Sequence, residues 1–267
     1  MDSPAAQDVA TRPQAVLLRQ ADDGIVTLTL NRPRQYNALS AAMLDALESE
    51  LDALSRDESA RVVLVTGAGN AFCAGHDLRE MRACDDATVL AFFNRCSALM
   101  QKIVALPQPV IAVVNGLATA AGCQLVAQCD LAVASEHARF AVSGVNLGLF
   151  CSTPAVALTR NVSRKRAAEM LFTGEFIDAA TALDWGLVNR VAPAGQLLEV
   201  AHELANNLKA KPRAALALGK ALFYRQLADN LAAAYADATR TIACNMGMEE
   251  AREGVDAFLG KRAPNWK

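Results

Sequence analysis

The chain has 267 residues, 53% of them hydrophobic, and a formal net charge of −2. That length buries one large core, or a core with an appendage. The near-neutral charge gives no electrostatic footprint for nucleic acid or an anionic membrane surface, and no apolar run approaches membrane-spanning length.

Seven cysteines form no Cys-x-x-Cys pair, and the three histidines (His76, His137, His202) lie far apart. Neither pattern fits a metal site, and the cysteines read as reduced intracellular thiols packed as small hydrophobes. Met1–Gln14 carries Asp2 and Asp8 and no apolar core. It fits neither a secretory signal nor a transit peptide and reads as a disordered leader, residues 1–14, on a cytoplasmic protein.

Ala15–Arg19 and Ile25–Leu30 read as strands around a hairpin turn at Ala21-Asp22-Asp23-Gly24. Ser40 is a candidate N-cap for a helix with Met43, Leu44, Leu47, Leu51 and Leu54 on one face. Val62–Thr66 reads as a buried strand. The following Gly67-Ala68-Gly69 is a poor dinucleotide loop, because Phe72 stands where a third glycine belongs and no helix follows directly. A helix is expected over Asp86–Leu106, with Val89, Leu90, Phe93, Leu99, Ile103 and Leu106 at helical spacing, ended by Pro107 and Pro109.

Residues 107–125 organise the rest. Val110–Val114 is a β-branched run of the kind found in buried parallel strands. Asn115-Gly116 breaks it, and Ala118, Thr119, Ala120, Ala121 and Gly122 lead into a helix from about Ala121. A helix opening on small residues leaves backbone N–H groups free and lets a ligand approach them. The helix dipole then favours an anionic oxygen. The same small residues equally serve tight helix–strand packing.

Leu131–Ala134 is expected as a strand and Phe140–Gly148 as a loop or strand. Thr153 before Pro154 marks a helix start, Ser163 caps Arg164–Phe172, Asp178 caps a helix to about Trp185, and Val188–Val191 reads as a strand. From Gln196 the pattern is helical, with candidates over Ala201–Lys209, Pro212–Gln226, Leu231–Asn245 and Met248–Leu259. Residues 15–195 are therefore expected as the core and 196–267 as a helical region.

Two stretches, Ala71-Phe72-Cys73-Ala74-Gly75-His76-Asp77-Leu78 and Pro107-Gln-Pro-Val-Ile-Ala-Val-Val-Asn-Gly-Leu-Ala-Thr-Ala-Ala-Gly, resemble motifs of the crotonase (enoyl-CoA hydratase/isomerase) superfamily. The resemblance runs from Leu30–Leu39 to Phe258–Arg262, nearly the whole chain. It implies an α/β spiral of ββα units with a C-terminal helical trimerisation region, as a homotrimer or a hexamer of paired trimers. It further implies an acyl-CoA thioester substrate, with coenzyme A arriving on that substrate and no separately bound cofactor or metal.

By position in the family motifs, the N–H groups of His76 and Ala121 hold the thioester oxygen as it gains charge in an enolate. Losing one such donor typically costs roughly 3 kcal/mol of barrier. The His76 imidazole is a candidate base or ligand, with a side chain that merely points away or lines the acyl pocket as the alternative. Asp77 either joins the chemistry or stiffens the loop beside Ala74. Arg34 and Lys261 are candidate contacts for coenzyme A phosphates, and Phe258 resembles a position packed near adenine; an ordinary surface or interface role is the alternative for each of the three. Asn146, Cys151 and Ser152 are candidates to line the acyl pocket, with a helix cap and packing as the alternative for the last two.

The chain departs from the family at both glutamates that a hydratase uses to move the protons of a water. Gln124 stands at the first position and Gly144 at the second. Glutamine orients water without exchanging a proton, and glycine has no side chain. Each positioned acid–base group is typically worth about 100- to 10,000-fold, so ordinary hydration is expected to be slow or absent. Another thioester reaction (hydrolysis, decarboxylation, isomerisation) or silent acyl-CoA binding remains open on the same scaffold.

Overall fold

The computed structural model describes residues 15–266, so the leader expected over residues 1–14 lies outside the described residues. Strands β1 (Leu17–Asp22) and β2 (Ile25–Leu30) pair antiparallel across Asp23-Gly24, whose φ angles of 44° and 78° are both positive. A two-residue turn of that kind matches the strand twist. It carries β1 through Ala21 and Asp22, two residues further than the turn expected at Ala21–Gly24. Helix α1 (Ala41–Leu54) opens where expected: Ser40 Oγ accepts from the Met43 N–H at 3.2 Å, and Met43, Leu44, Leu47, Leu51 and Leu54 are buried.

The next elements repeat a strand–strand–helix step. They are β3 (Val62–Gly67), β4 (Ala71–Cys73), α2 (Leu78–Arg82) and α3 (Asp86–Ala105); β5 (Val110–Val114), β6 (Leu117–Thr119) and α4 (Ala121–Gln128); then β7 (Leu131–Ser135), β8 (Arg139–Ala141), a 3-10 turn at Ser143–Leu147 and α5 (Ser152–Asn161). Helix α6 (Arg164–Thr173), β9 (Ile177–Asp178), α7 (Ala179–Asp184) and β10 (Arg190–Ala192) follow. The first strand of each step enters a six-stranded sheet, in the order β1-β2-β3-β5-β7-β10. The second enters a four-stranded sheet, β4-β6-β8-β9. Apart from the β1–β2 and β8–β9 pairs, the ladders are parallel. The result is the crotonase spiral.

Several sequence expectations need correction. The small sheet was not anticipated: its strands are two or three residues long, too short to show a period. Helix α5 starts at Ser152 with Cys151 in the cap position, not after a Thr153 cap. Strand β10 lies at Arg190–Ala192, because Leu187 and Val188 turn into the core ahead of it. Leu90, assigned to the apolar face of α3, is 63% exposed.

Helices α8 (Leu197–Lys209), α9 (Arg213–Gln226), α10 (Leu231–Met246) and α11 (Glu249–Leu259) complete the chain. Ala201 and Ala205 of α8 pack on Ile25, Val62, Ile111 and Val133 of the large sheet. By contrast, α9 and α10 bury no residue. A polar tie holds α9 down. Lys220 Nζ donates to Ile103 O and Gln108 O, each at 2.9 Å, and to Asp130 Oδ2 at 2.7 Å. The Tyr224 hydroxyl donates to Asp130 Oδ1 at 2.7 Å.

Candidate active site

The site begins with a loop pinned on both sides. After β4, Ala74 N donates to Tyr36 O at 3.0 Å and Ala74 O accepts from Thr119 Oγ1 at 2.9 Å. Leu39 N donates to Gly75 O at 2.8 Å, and Asp77 N donates to Leu39 O at 3.2 Å. In this parallel bridge the residue between the bonded pair turns its own N–H to the opposite side. The His76 N–H accordingly donates to no acceptor among the described residues.

The second wall is the start of α4. Ala120 has φ 49° and ψ −118°, and its N–H donates to Ala141 O at 2.9 Å. That turn leaves the Ala121 N–H, first of the helix, without an acceptor among the described residues. Gly75 brings the walls together. Its φ is +96°, and a Cβ there would stand 2.9 Å from Ala120 Cβ and 3.2 Å from Ala121 N. Gly122 is equally constrained, since a Cβ on it would meet Cys73 O at 1.9 Å.

Gln124 lies one turn into α4, 6% exposed, its N–H bonded to Ala120 O at 3.0 Å. Its side-chain amide makes no hydrogen bond among the described residues, yet is not sealed from solvent contact as an orphaned buried group would be. Gly144 is buried, and a Cβ there would come within 2.8 Å of both Cys151 Sγ and Leu149 O. Its N–H points at Cys151 Sγ, 3.3 Å away. The place of a second glutamate is thus closed by the Cys151 thiol. Burial pushes that thiol up, partly opposed by the Gly144 N–H. Burial pushes the Cys73 and Cys123 thiols up to about 12.

The His76 imidazole packs edge-on against Phe92 (centroids 5.4 Å apart) and Phe93 (5.1 Å), with Nε2 buried and without a hydrogen-bond partner among the described residues. Burial lowers its pKa to about 4, so the ring is neutral at neutral pH. Asp77 caps α2 by accepting from the Arg79 N–H at 3.2 Å, and its other oxygen lies 3.7 Å from Arg32 Nη1. Asn146 Nδ2 donates to Gly174 O at 3.4 Å, which ties the 3-10 turn to the end of α6. Ser152 is exposed and its hydroxyl donates to Phe150 O at 3.3 Å.

The structure therefore brings Ala74, His76, Asp77, Ala121 and Gln124 to one place, with Gly144 and Cys151 where the 3-10 turn meets α5. Arg34 is exposed on the turn before Tyr36 and Asn37. Phe258, 82% exposed, and Lys261 lie at the end of α11, which packs on α9 and α10. Sequence reasoning missed Phe92, Phe93 and Arg32. Phe93 reads as part of the apolar face of α3, Phe92 carries no reading of its own, and nothing local to either marks His76 as a neighbour.

A family model described as enoyl-CoA hydratase/isomerase matches residues 20–267. Among curated relatives, the rat enoyl-CoA hydratase domain-containing protein 3, mitochondrial, is 46% identical over 96% of this chain and 85% of its own length. The crystal structure of an enoyl-CoA hydratase from Mycobacterium smegmatis superposes with a TM-score of 0.93 at 57% identity, covering 94% of this chain and 98% of that one. Human enoyl-CoA hydratase domain-containing protein 3 superposes with a TM-score of 0.91 at 44% identity, covering 94% of this chain and all of that one (100%). With its spiral of ββα units and the paired glycine-lined walls after β4 and β6, the chain belongs to the enoyl-CoA hydratase/isomerase family, the crotonases, whose members act on CoA thioesters.

Proposed function

We propose that the chain is an acyl-CoA-processing enzyme in which the His76 and Ala121 N–H groups hold a thioester oxygen as it becomes an enolate. One observation carries this reading: two N–H groups, each left over by the secondary structure around it, stand on walls that meet at Gly75. Donors fixed before the reaction need no reorganisation as charge develops, which makes such pairs effective. Coenzyme A arrives on the substrate, with Arg34 and Lys261 as phosphate contacts and Phe258 beside the adenine. The active form is a homotrimer, or a hexamer of two trimers.

Hydration is not the favoured chemistry. Gln124 exchanges no proton near neutral pH, and Gly144 has neither a side chain nor room for one. Acetyl-CoA is expected to bind in calorimetry, while crotonyl-CoA loses its enoyl absorbance only slowly. Gln124→Glu restores one proton carrier and is expected to raise crotonyl-CoA hydration about 10- to 100-fold. No gain in the folded variant would contradict the role given to this position. A silent acyl-CoA binder is the second reading, favoured by the closed space at Gly144. Turnover of any thioester that is lost on blocking the Ala121 N–H removes it.

A further inference from the structure

We propose that the substrate of this site is a malonyl-type thioester, carrying a carboxylate on the carbon next to the thioester carbonyl, and that the reaction is loss of that carboxylate as carbon dioxide. The inference rests on the enolate-holding role of the His76 and Ala121 N–H groups proposed above, and it names the chemistry that feeds them.

An enolate forms either by taking a proton from carbon or by breaking a bond to carbon. The first route needs a base, and among the described residues the groups around these N–H donors supply none. Gln124 is an amide. Gly144 has no side chain, and the Cys151 thiol fills the space beside it. The His76 ring is wedged against Phe92 and Phe93. Asp77 is committed to the Arg79 N–H and Arg32, and Glu80 Oε2 accepts from the Ala41 N–H at 2.8 Å. The nearby thiols of Cys73, Cys123 and Cys151 are held protonated by burial.

Decarboxylation needs no base. The bond from the α-carbon to the carboxylate breaks, its electron pair flows into the enolate, and carbon dioxide leaves. Water then gives a proton to the α-carbon, and the hydroxide left behind combines with carbon dioxide. The balance is thioester carboxylate plus water giving the shortened thioester plus bicarbonate.

Gln124 supplies the positive part of the case. Its amide is 6% exposed and without a hydrogen-bond partner among the described residues, so it has an N–H donor to offer. A glutamate there would repel a substrate carboxylate, whereas the amide accepts it. One neutral donor also stabilises the departing carboxylate less than two N–H groups stabilise the enolate oxygen. The site therefore favours the charge in the position it reaches in the transition state.

The test incubates the purified full chain with malonyl-CoA and methylmalonyl-CoA in deuterium oxide, read by mass spectrometry, beside crotonyl-CoA. The expected products are acetyl-CoA and propionyl-CoA carrying deuterium on the α-carbon, formed at least tenfold faster than crotonyl-CoA is hydrated. Gln124→Glu should slow decarboxylation at least tenfold while it raises hydration, a gain that also shows the variant folds. Gln124→Met, which removes the donor without adding charge, should slow decarboxylation as well. Malonyl thioesters recovered intact by a protein that binds acetyl-CoA in calorimetry would overturn the inference alone. So would a Gln124→Glu variant that decarboxylates as fast as its parent. Failure to bind acetyl-CoA would overturn the enolate-holding reading and this inference with it.

Discussion

Ala120 sits in backbone space that L residues rarely enter, with φ 49° and ψ −118°. Such residues cost of order 1–3 kcal/mol and persist where the surroundings dictate them. Here the bond from the Ala120 N–H to Ala141 O and the close approach to Gly75, where a Cβ would stand 2.9 Å from Ala120 Cβ, do so. Ala120→Gly is therefore expected to stabilise the chain by about 1 kcal/mol in urea unfolding, against the usual penalty for glycine. A loss of stability would contradict the strain. His76 makes a second prediction. Its imidazole stays neutral in the folded chain down to about pH 4, while the unfolded chain binds the proton from about pH 6.5. Between those values the unfolded state binds more protons, so stability falls as pH falls. Urea midpoints at pH 7 and pH 4.5 should differ less in His76→Leu than in the parent, and an unchanged difference would contradict the assignment. At this scale the sequence was legible for what it lacks, since Gln124 and Gly144 are read directly. It was silent on the ring environment of His76, because Phe92 and Phe93 reach it only through the packing of α3.

Among the elements, long amphipathic helices and β-branched strands were legible: α1, α3, β3 and β5 lie within a residue of their expected bounds. The small sheet was not, because strands of two or three residues carry no period and exist through ladders such as Ala71↔Leu117 and Cys73↔Ala118. Yet that sheet aligns the two walls of the candidate site. Helix α9 shows a different dependence. No whole residue of it is buried, and it is held by the Lys220 side chain, 7% exposed with three acceptors. Removing one partner of a buried ion pair typically costs about 3–5 kcal/mol. Lys220→Met should therefore raise amide hydrogen exchange across α9 well beyond that of the large sheet. Equal protection in parent and variant would contradict the tie.

On the scale of the molecule, the C-terminal helices present Phe223, Tyr235, Ile242, Met246 and Phe258 to solvent, each more than half exposed. Exposed apolar side chains of this kind are what an interface between chains would cover, and the proposed homotrimer assigns them that part. Tyr235→Glu with Ile242→Glu is expected to lower the mass in light scattering to that of one chain, and an unchanged mass would place the interface elsewhere. The sequence made the helices of this region legible. It could not say which faces stay uncovered within one chain, because an amphipathic stripe looks alike whether it meets its own core or a neighbour.

The central claim is that the His76 and Ala121 N–H groups polarise a bound thioester, and the carbonyl stretch reports it directly. With carbonyl-labelled acetyl-CoA, the account expects the stretch of the bound thioester to move to lower frequency than in water. It expects that shift to be lost in Ala121→Pro, which removes the N–H at a helix position where proline is tolerated, while calorimetry still detects binding. A bound thioester whose carbonyl absorbs as it does in water would contradict the account.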